Sequence, residues 1–145
     1  MAVWSRNLMV YYGNKGQSIV LDEGSEGKVI ELPYATPIKV QFGLYNTDDR
    51  DYDYALLDWG IQIKENGTWK TIYDDWAKFV NGYEQDKRYV KLKRYQTEWT
   101  YRYVITDYVN KYGTILVYTI AIVWYDNTWH SRGETEVVLK RKLTE

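Results

Sequence analysis

Apolar and polar residues alternate along most of this chain, and no other feature of the sequence restricts its fold as strongly. In the segment 38–44, isoleucine, valine, phenylalanine and leucine occupy every second position, and the segment 57–64 repeats the pattern with Trp59 among its apolar residues. A period of two matches a β-strand, in which successive side chains point to opposite faces of the sheet. Helical periodicity is nearly absent, so the sequence predicts an all-β protein.

Turn signals separate the predicted strands. Asn66 and Gly67 form the strongest of them, because both positions of a two-residue hairpin turn take positive φ. The run Thr114–Tyr125 is largely apolar on both faces, which predicts a central strand covered on both sides or over much of its length. The segment 126–133, DNTWHSRG, is predicted to be a polar turn. Further strands are expected in NLMVYY, SIVL, KVIEL, RYVKLKRY, TEWTYRYVIT and ETEVVLKRKL.

One segment departs from the strand pattern. Residues 74–81, DDWAKFVN, predict a single short helix, which Asp74 or Asp75 would cap. With eight or nine short strands and at most this one helix, the chain fits an antiparallel two-sheet sandwich. Neither an internal repeat nor a low-complexity linker divides it, so we expect one domain over residues 1–145.

Four segments within residues 28–142 follow one another in an order known from sandwich domains. ELPYATPIKVQFGLYNTDD reads as a strand with its following loop, and WGIQIKENGTWKTI as a hairpin. YVKLKRYQTEWTYRYVIT reads as a strand pair, and YGTILVYTIAIVWYDNTWHSRGETEVVLK as a final hairpin. This order resembles that of immunoglobulin-like and fibronectin type III-like domains and implies an immunoglobulin-like sandwich. A single jelly roll is the alternative, and neither fold implies a function.

Charge and cysteine content narrow the classes of function. Basic residues number 19 and acidic residues 20. The net charge of −1 provides no global field that would attract nucleic acid, which is therefore not expected as a partner. The absence of cysteine excludes disulfide bonds, thiolate chemistry and cysteine-ligated zinc. No apolar run is long enough to span a membrane.

The sequence offers little for catalysis. His130 is the only histidine, which excludes a multi-histidine metal centre. Its neighbour Ser131 forms no catalytic triad by adjacency alone, because a triad requires convergence in three dimensions. A solvated turn histidine is the preferred interpretation, and we expect neither an enzyme nor a bound cofactor.

The segment 45–60, YNTDDRDYDYALLDWG, concentrates five aspartates. Three of them alternate, as they do at the start of a helix–loop–helix calcium site. Such a loop needs glycine at its sixth position and glutamate at its twelfth, where this chain has Tyr54 and Gly60. The motif is therefore rejected and no metal site is predicted. We interpret Asp48–Asp53 as a connecting loop whose charge is balanced by a basic side chain, a partner surface or a loosely held cation.

The aromatic composition is the strongest functional lead. The chain has 16 tyrosines and 7 tryptophans but only 2 phenylalanines, a bias towards rings that carry a polar group. Such rings are enriched at interfaces, where one end is apolar and the other is hydrogen-bonded. Trp59 is expected in the core, because its face also carries isoleucine and leucine. The candidate binding residues are Trp69, Tyr73, Trp76, Tyr125 and Trp129.

These observations predict a non-catalytic structural or assembly module that makes protein–protein contacts with copies of itself or with a partner subunit. The alternative is a module that binds carbohydrate or another ligand with exposed tryptophan and tyrosine rings. The first residues do not resemble a signal peptide. A virion, filament or surface-layer assembly is therefore favoured over a cytoplasmic enzyme.

Overall fold

The computed structural model describes residues 3–13, 17–21, 28–33, 36–82 and 88–142. These residues form eleven β-strands and one short α-helix. The strands are β1 (Val3–Tyr12), β2 (Gln17–Leu21), β3 (Val29–Leu32), β4 (Ile38–Asn46), β5 (Tyr52–Glu65), β6 (Thr68–Trp76), β7 (Val90–Leu92), β8 (Thr97–Trp99), β9 (Tyr103–Val104), β10 (Thr114–Tyr125) and β11 (Thr128–Arg141), and the helix is α1 (Thr106–Tyr112).

The strands form two sheets, which confirms the predicted all-β sandwich. The five-stranded sheet has the order β2-β1-β4-β8, and β9 also pairs with β4. The six-stranded sheet has the order β3-β11-β10-β5-β6, and β7 also pairs with β5. One pairing corrects the expectation of purely antiparallel sheets, because β3 runs parallel to β11. The six-stranded sheet is therefore mixed.

One hydrophobic core lies between the two sheets. The strand β4 contributes Val40, Phe42 and Leu44, and the strand β5 contributes Trp59 and Ile61, all of them buried. These residues belong to the alternating faces that the sequence predicts, and the core position of Trp59 is confirmed. Burial of each large apolar side chain stabilises the fold by about 1.5–3 kcal/mol relative to an exposed position.

Two tight turns fix the hairpins of the six-stranded sheet. Asn66 and Gly67 have φ values of 51° and 80°, which confirms the predicted two-residue turn between β5 and β6. Asp126 and Asn127 have φ values of 52° and 59° and form the same kind of turn between β10 and β11. The prediction of a longer polar turn over 126–133 is wrong, since these two residues complete the turn. The strand β11 begins directly at Thr128, so Trp129 and His130 lie on a strand.

The predicted helix near residues 74–81 is wrong in position. Asp74 and Trp76 belong to β6 and pair with β5, and the amide of Ala77 continues the contact with a 2.7 Å hydrogen bond to the carbonyl of Leu57. Pairing with β5 therefore outweighs the local preference of Asp74 and Asp75 for a helix N-terminus. The short helix of the described residues is α1, which buries only Val109. No helix among these residues is long and apolar enough to cross a membrane.

Candidate functional site

The outer face of the six-stranded sheet carries the candidate site. Residues directly opposite each other on neighbouring strands point to the same face of a sheet. On this sheet, Ile122 of β10 lies opposite Leu56 of β5 and Ser131 of β11. One row nearer the end of the hairpin, Trp124 lies opposite Trp129. The register of β10 therefore brings an apolar floor and two tryptophans to one place.

A cleft opens over this floor, and we call it the aromatic cleft. Its volume is about 340 Å³. Trp76 and Trp129 remain 42% exposed on its walls, and Tyr89 remains 39% exposed. The residues that line the aromatic cleft are Leu56, Trp76, Arg88, Tyr89, Ile122, Trp129 and Ser131.

Trp129 is held by two neighbouring rings. Tyr89 stacks on it with ring centroids 6.1 Å apart and an interplanar angle of 26°. Trp124 meets it edge-on, with centroids 5.1 Å apart and an angle of 70°. Offset-stacked and edge-on contacts are the favourable arrangements of aromatic pairs. The ring of Trp129 is therefore positioned before any ligand arrives.

Arg88 fixes the opposite wall of the cleft. Its Nη1 donates to Asp75 Oδ1 at 2.8 Å and to the backbone carbonyl of Trp76 at 2.9 Å. The guanidinium holds the pKa of the Asp75 carboxyl below its ordinary value. The positive charge of Arg88 is thus paired within the chain, and the contact anchors the backbone beneath Trp76.

A pair of acidic side chains lies beside the cleft on the same face. The side chains of Asp58 and Asp74 are hydrogen-bonded to each other, and the hydroxyl of Tyr118 donates to Asp74. Burial, together with the neighbouring Asp74 carboxylate, raises the pKa of Asp58 to about 7. Burial and Asp74 also raise the pKa of the Tyr118 hydroxyl. Asp58 therefore keeps its proton to a higher pH than an ordinary aspartate does.

Gly60 makes this arrangement possible. A Cβ atom at this position would lie 2.3 Å from the hydroxyl oxygen of Tyr118 and 2.4 Å from the backbone oxygen of Tyr73. Because only glycine leaves this space free, the side chain of Tyr118 crosses the strand at Gly60 to reach Asp74. A glycine inside a strongly alternating strand is a sequence signal for such a close approach.

The structure brings two of the five sequence-predicted binding residues together, namely Trp76 and Trp129. Trp69 lies at the other end of β6, about 23 Å along the strand from Trp76 at ~3.3 Å per residue. The Nζ atom of Lys64 is 5.8 Å from the centroid of the Trp69 ring. Trp69 therefore lies on the same sheet outside the aromatic cleft.

Tyr73 and Tyr125 pack against the core rather than into the cleft. The ring centroid of Tyr73 is 5.1 Å from that of Trp59. Tyr125 stacks on His130 with centroids 3.6 Å apart, and the Nε2 atom of His130 is 3.1 Å from the Tyr125 carbonyl oxygen. The solvated turn histidine expected from the sequence is thus a strand residue in contact with a tyrosine.

Sequence reasoning missed Arg88, Tyr89 and the pair of Asp58 and Asp74. Arg88 and Tyr89 precede the three-residue strand β7 and reach the cleft only through the tertiary fold. No local pattern identifies such residues. Asp58 occupies a polar position of an alternating strand, which is typical of any solvated strand face.

The acidic segment 48–53 finds its partners within the chain. Its prediction as a loop is wrong at the end, because Tyr52 and Asp53 already belong to β5. Arg94 donates from Nη1 to Asp49 at 3.3 Å, and its backbone amide donates to Asp51 at 3.0 Å. The hydroxyl of Tyr52 donates to Asp48. Within the described part of the chain, no group of three or more histidine, cysteine, aspartate or glutamate residues is placed to hold a metal ion. Of the three counter-charges considered from the sequence, the structure thus supplies a basic side chain.

The fold and the site together define a β-sandwich protein with an aromatic cleft on one outer sheet face. No protein-family model matches the chain, and no curated protein sequence matches it. A structure of Pseudomonas fluorescens alkylpurine DNA glycosylase AlkC, bound to DNA containing an abasic site analog, is similar with a TM-score of 0.45 and 16% sequence identity. The similarity covers 95% of this chain and 30% of the glycosylase chain. A likeness at this level establishes neither family nor function.

Proposed function

We propose that this chain is a non-catalytic binding module that contacts a partner protein, either a second copy of itself or another subunit, through the aromatic cleft. The observation that carries the proposal is the pair of half-exposed tryptophans, Trp76 and Trp129, on opposite walls of one concave site. A subunit of a virion, filament or surface layer is the setting that this proposal implies.

The composition of the cleft favours a protein interface. Tryptophan, tyrosine and arginine are the residues that most often dominate the binding energy of protein complexes. Trp76, Tyr89, Arg88 and Trp129 supply all three types within one site. The cleft volume of 340 Å³ suits the insertion of a single side chain from a partner. Because Trp129 is already held by Tyr89 and Trp124, little entropy is lost when a partner binds.

The face of the sheet is a better contact surface than its β6 edge. In the described residues, β6 ends the six-stranded sheet. Its pairing with β5 is interrupted between Ile61 and Gln62, and β6 carries the charged residues Lys70, Asp74 and Asp75. Bulges and charges on an edge strand oppose pairing with another chain. We therefore place the contact at the cleft and not at the edge.

Light scattering over a wide range of concentrations tests the proposal. We expect the mass to rise above the 17.4 kDa of one chain in the wild type and in Trp69→Ala, and to stay near it in Trp129→Ala. Trp69 is the matched control, because it is a tryptophan of the same sheet outside the cleft. Association that survives both Trp129→Ala and Trp76→Ala would reject the cleft as the contact. A monomeric wild type would exclude self-assembly. The same variants would then be compared for binding to another subunit.

A second candidate function is carbohydrate binding. The observation in its favour is that Ser131 lines the cleft, while Asp58, opposite Trp76, and Tyr118 lie on the same sheet face. Flat rings stack on sugar faces, and hydroxyl and carboxyl groups bind sugar hydroxyls. A glycan array gives a direct test. Specific binding that Trp129→Ala abolishes would favour this function over a protein partner, and an array without binding would reject it.

We also propose that the sandwich is immunoglobulin-like rather than a jelly roll. The order β11-β10-β5-β6 corresponds to the G, F, C and C′ strands of a variable-type immunoglobulin sheet. The order β1-β4-β8 corresponds to A, B and E of the facing sheet. An experimental structure with a different strand order in either sheet would overturn this assignment.

A further inference from the structure

We propose that the group which enters the aromatic cleft is a basic side chain of the partner, a lysine ammonium or an arginine guanidinium. This inference rests on the proposed docking function and adds the chemistry of the docked group. It follows from three observations: the aromatic walls, the apolar floor, and the acidic groups on the surrounding sheet face.

The walls supply aromatic faces for a cation. A cation within about 6 Å of a ring centroid is attracted by the ring quadrupole, and tryptophan is the strongest partner. The chain already uses this contact, with the guanidinium of Arg102 4.0 Å from the Tyr11 centroid and Lys64 Nζ 5.8 Å from that of Trp69. The exposed rings of Trp76 and Trp129 can provide the same contact to a partner.

The floor suits the stem of a basic side chain. Leu56 and Ile122 form an apolar base between the aromatic walls. Lysine and arginine carry long aliphatic stems that pack on apolar surface while the charged group stays at the polar rim. A stem lying on Leu56 and Ile122 would place the charged group among the tryptophan rings.

The surrounding face supplies the complementary charge. The cross-strand pairing of Ile120 and Tyr118 brings Glu134 and Glu136 to this face, where Asp74 also lies. The positive charge on the cleft wall, Arg88, is already paired with Asp75 at 2.8 Å. Like charges across an interface are repulsive, so an acidic side chain is disfavoured at this place and a basic one is favoured.

The test is an NMR titration of the full chain with four amino-acid probes that share acetyl and methylamide caps. The probes carry the lysine, arginine, norleucine and glutamate side chains, and the indole N–H signals of Trp76 and Trp129 report binding. We expect the two basic probes to shift both signals with an affinity about five-fold above that of norleucine. Raising the salt concentration should remove most of that difference, because the attraction to exposed carboxylates is screened.

Two controls separate charge from packing. In Glu134→Gln/Glu136→Gln, we expect the basic probes to bind more weakly and norleucine to bind as before. The indole signal of Trp69 reports non-specific effects, since this ring lies on the same sheet outside the aromatic cleft. A response of Trp69 equal to that of Trp76 and Trp129 would count against a specific site.

The outcomes distinguish this inference from the docking function. Norleucine binding as tightly as lysine, tighter binding of glutamate, or no shift with any probe would each overturn the basic side chain as occupant. If Trp129→Ala still abolishes association in those cases, the cleft remains the docking surface. If association is unaffected by Trp129→Ala, the docking function itself fails, whatever the probes show.

Discussion

The two outer sheet faces of this protein use similar residues in opposite ways. On the five-stranded sheet, the hydroxyl of Tyr11 donates to Gln41 at 2.9 Å, Gln41 donates to the carbonyl of Thr100 at 2.8 Å, and Arg102 lies over the Tyr11 ring. On the six-stranded sheet, Trp76 and Trp129 face a cleft. An abundance of aromatic residues therefore does not define a binding face by itself. What distinguishes the outer face of the six-stranded sheet is the aromatic cleft, on whose walls Trp76 and Trp129 stay 42% exposed. We call this face the open face, and we call the outer face of the five-stranded sheet the closed face.

The largest expected effect concerns β5, the strand of the six-stranded sheet that carries Gly60. Gly60→Ala would force a Cβ against the hydroxyl of Tyr118 and the backbone of Tyr73, and a clash with backbone cannot be relieved by a rotamer change. We expect a loss of about 2–4 kcal/mol in the free energy of unfolding, measured by urea denaturation. Gln62→Ala on the same strand is the control and should cost less than about 1 kcal/mol. Equal stabilities of the two variants would contradict the close approach at Gly60.

The next effect is on association through the open face. Trp129→Ala should weaken partner binding by about 2 kcal/mol or more, which is roughly 30-fold, because tryptophans at the centre of an interface carry a large share of the energy. Its thermal stability should fall only slightly, since the ring is 42% exposed. Binding isotherms of Trp129→Ala and Trp69→Ala measure the difference. A matching loss in Trp69→Ala would show that the whole sheet face, and not the cleft, makes the contact.

On the outer face of the five-stranded sheet, a substitution should lower stability and leave association unchanged. Tyr11→Phe removes the hydroxyl that donates to Gln41 and should lower the free energy of unfolding by about 1 kcal/mol. Association should be unchanged, because Tyr11 makes its contacts with Gln41 and Arg102 of its own chain. Chemical denaturation and light scattering on the same samples provide both values. Weakened association at unchanged stability would mean that this face also contacts a partner.

The smallest effect is a dependence of stability on pH. The folded-state pKa of Asp58, about 7, lies above its ordinary value of 3.8, so the folded protein binds more protons between these pH values. This group therefore stabilises the fold fully below about pH 4, and its contribution is lost as the pH rises to about 7. Asp58→Asn mimics the protonated acid and should raise the melting temperature at pH 8 but not at pH 4. A constant difference across pH would contradict the raised pKa of Asp58.

Much of the fold follows from local sequence, because strand alternation and tight turns are local properties. The alternation at 38–44 and 57–64 predicts the buried faces, and Asn66 with Gly67 predicts its turn. The short helix was placed wrongly because Asp74 and Asp75, which are good helix caps, pair with β5 instead. The helix α1 escapes prediction because it buries only Val109, which leaves no apolar period to detect.

The candidate site is less accessible to sequence reasoning. Trp76 and Trp129 are named by their type, but only the strand order β6-β5-β10-β11 brings them to one cleft. Tyr73 and Tyr125 are also part of the high tyrosine and tryptophan content, but they lie on the face of their strands that points towards the core. Arg88 and Tyr89 complete the cleft from outside the sheet, a contact that no periodicity encodes.

One measurement tests the difference between the two faces most directly. The seven tryptophans give separate indole N–H signals, which can be followed by NMR while the protein associates with its partner or with itself. We predict that the signals of Trp76, Trp124 and Trp129 move together. The signal of Trp99, opposite Gly43 on the five-stranded sheet, should stay constant. Movement of Trp99 with Trp76 and Trp129 unchanged would contradict the assignment of the open face as the binding surface.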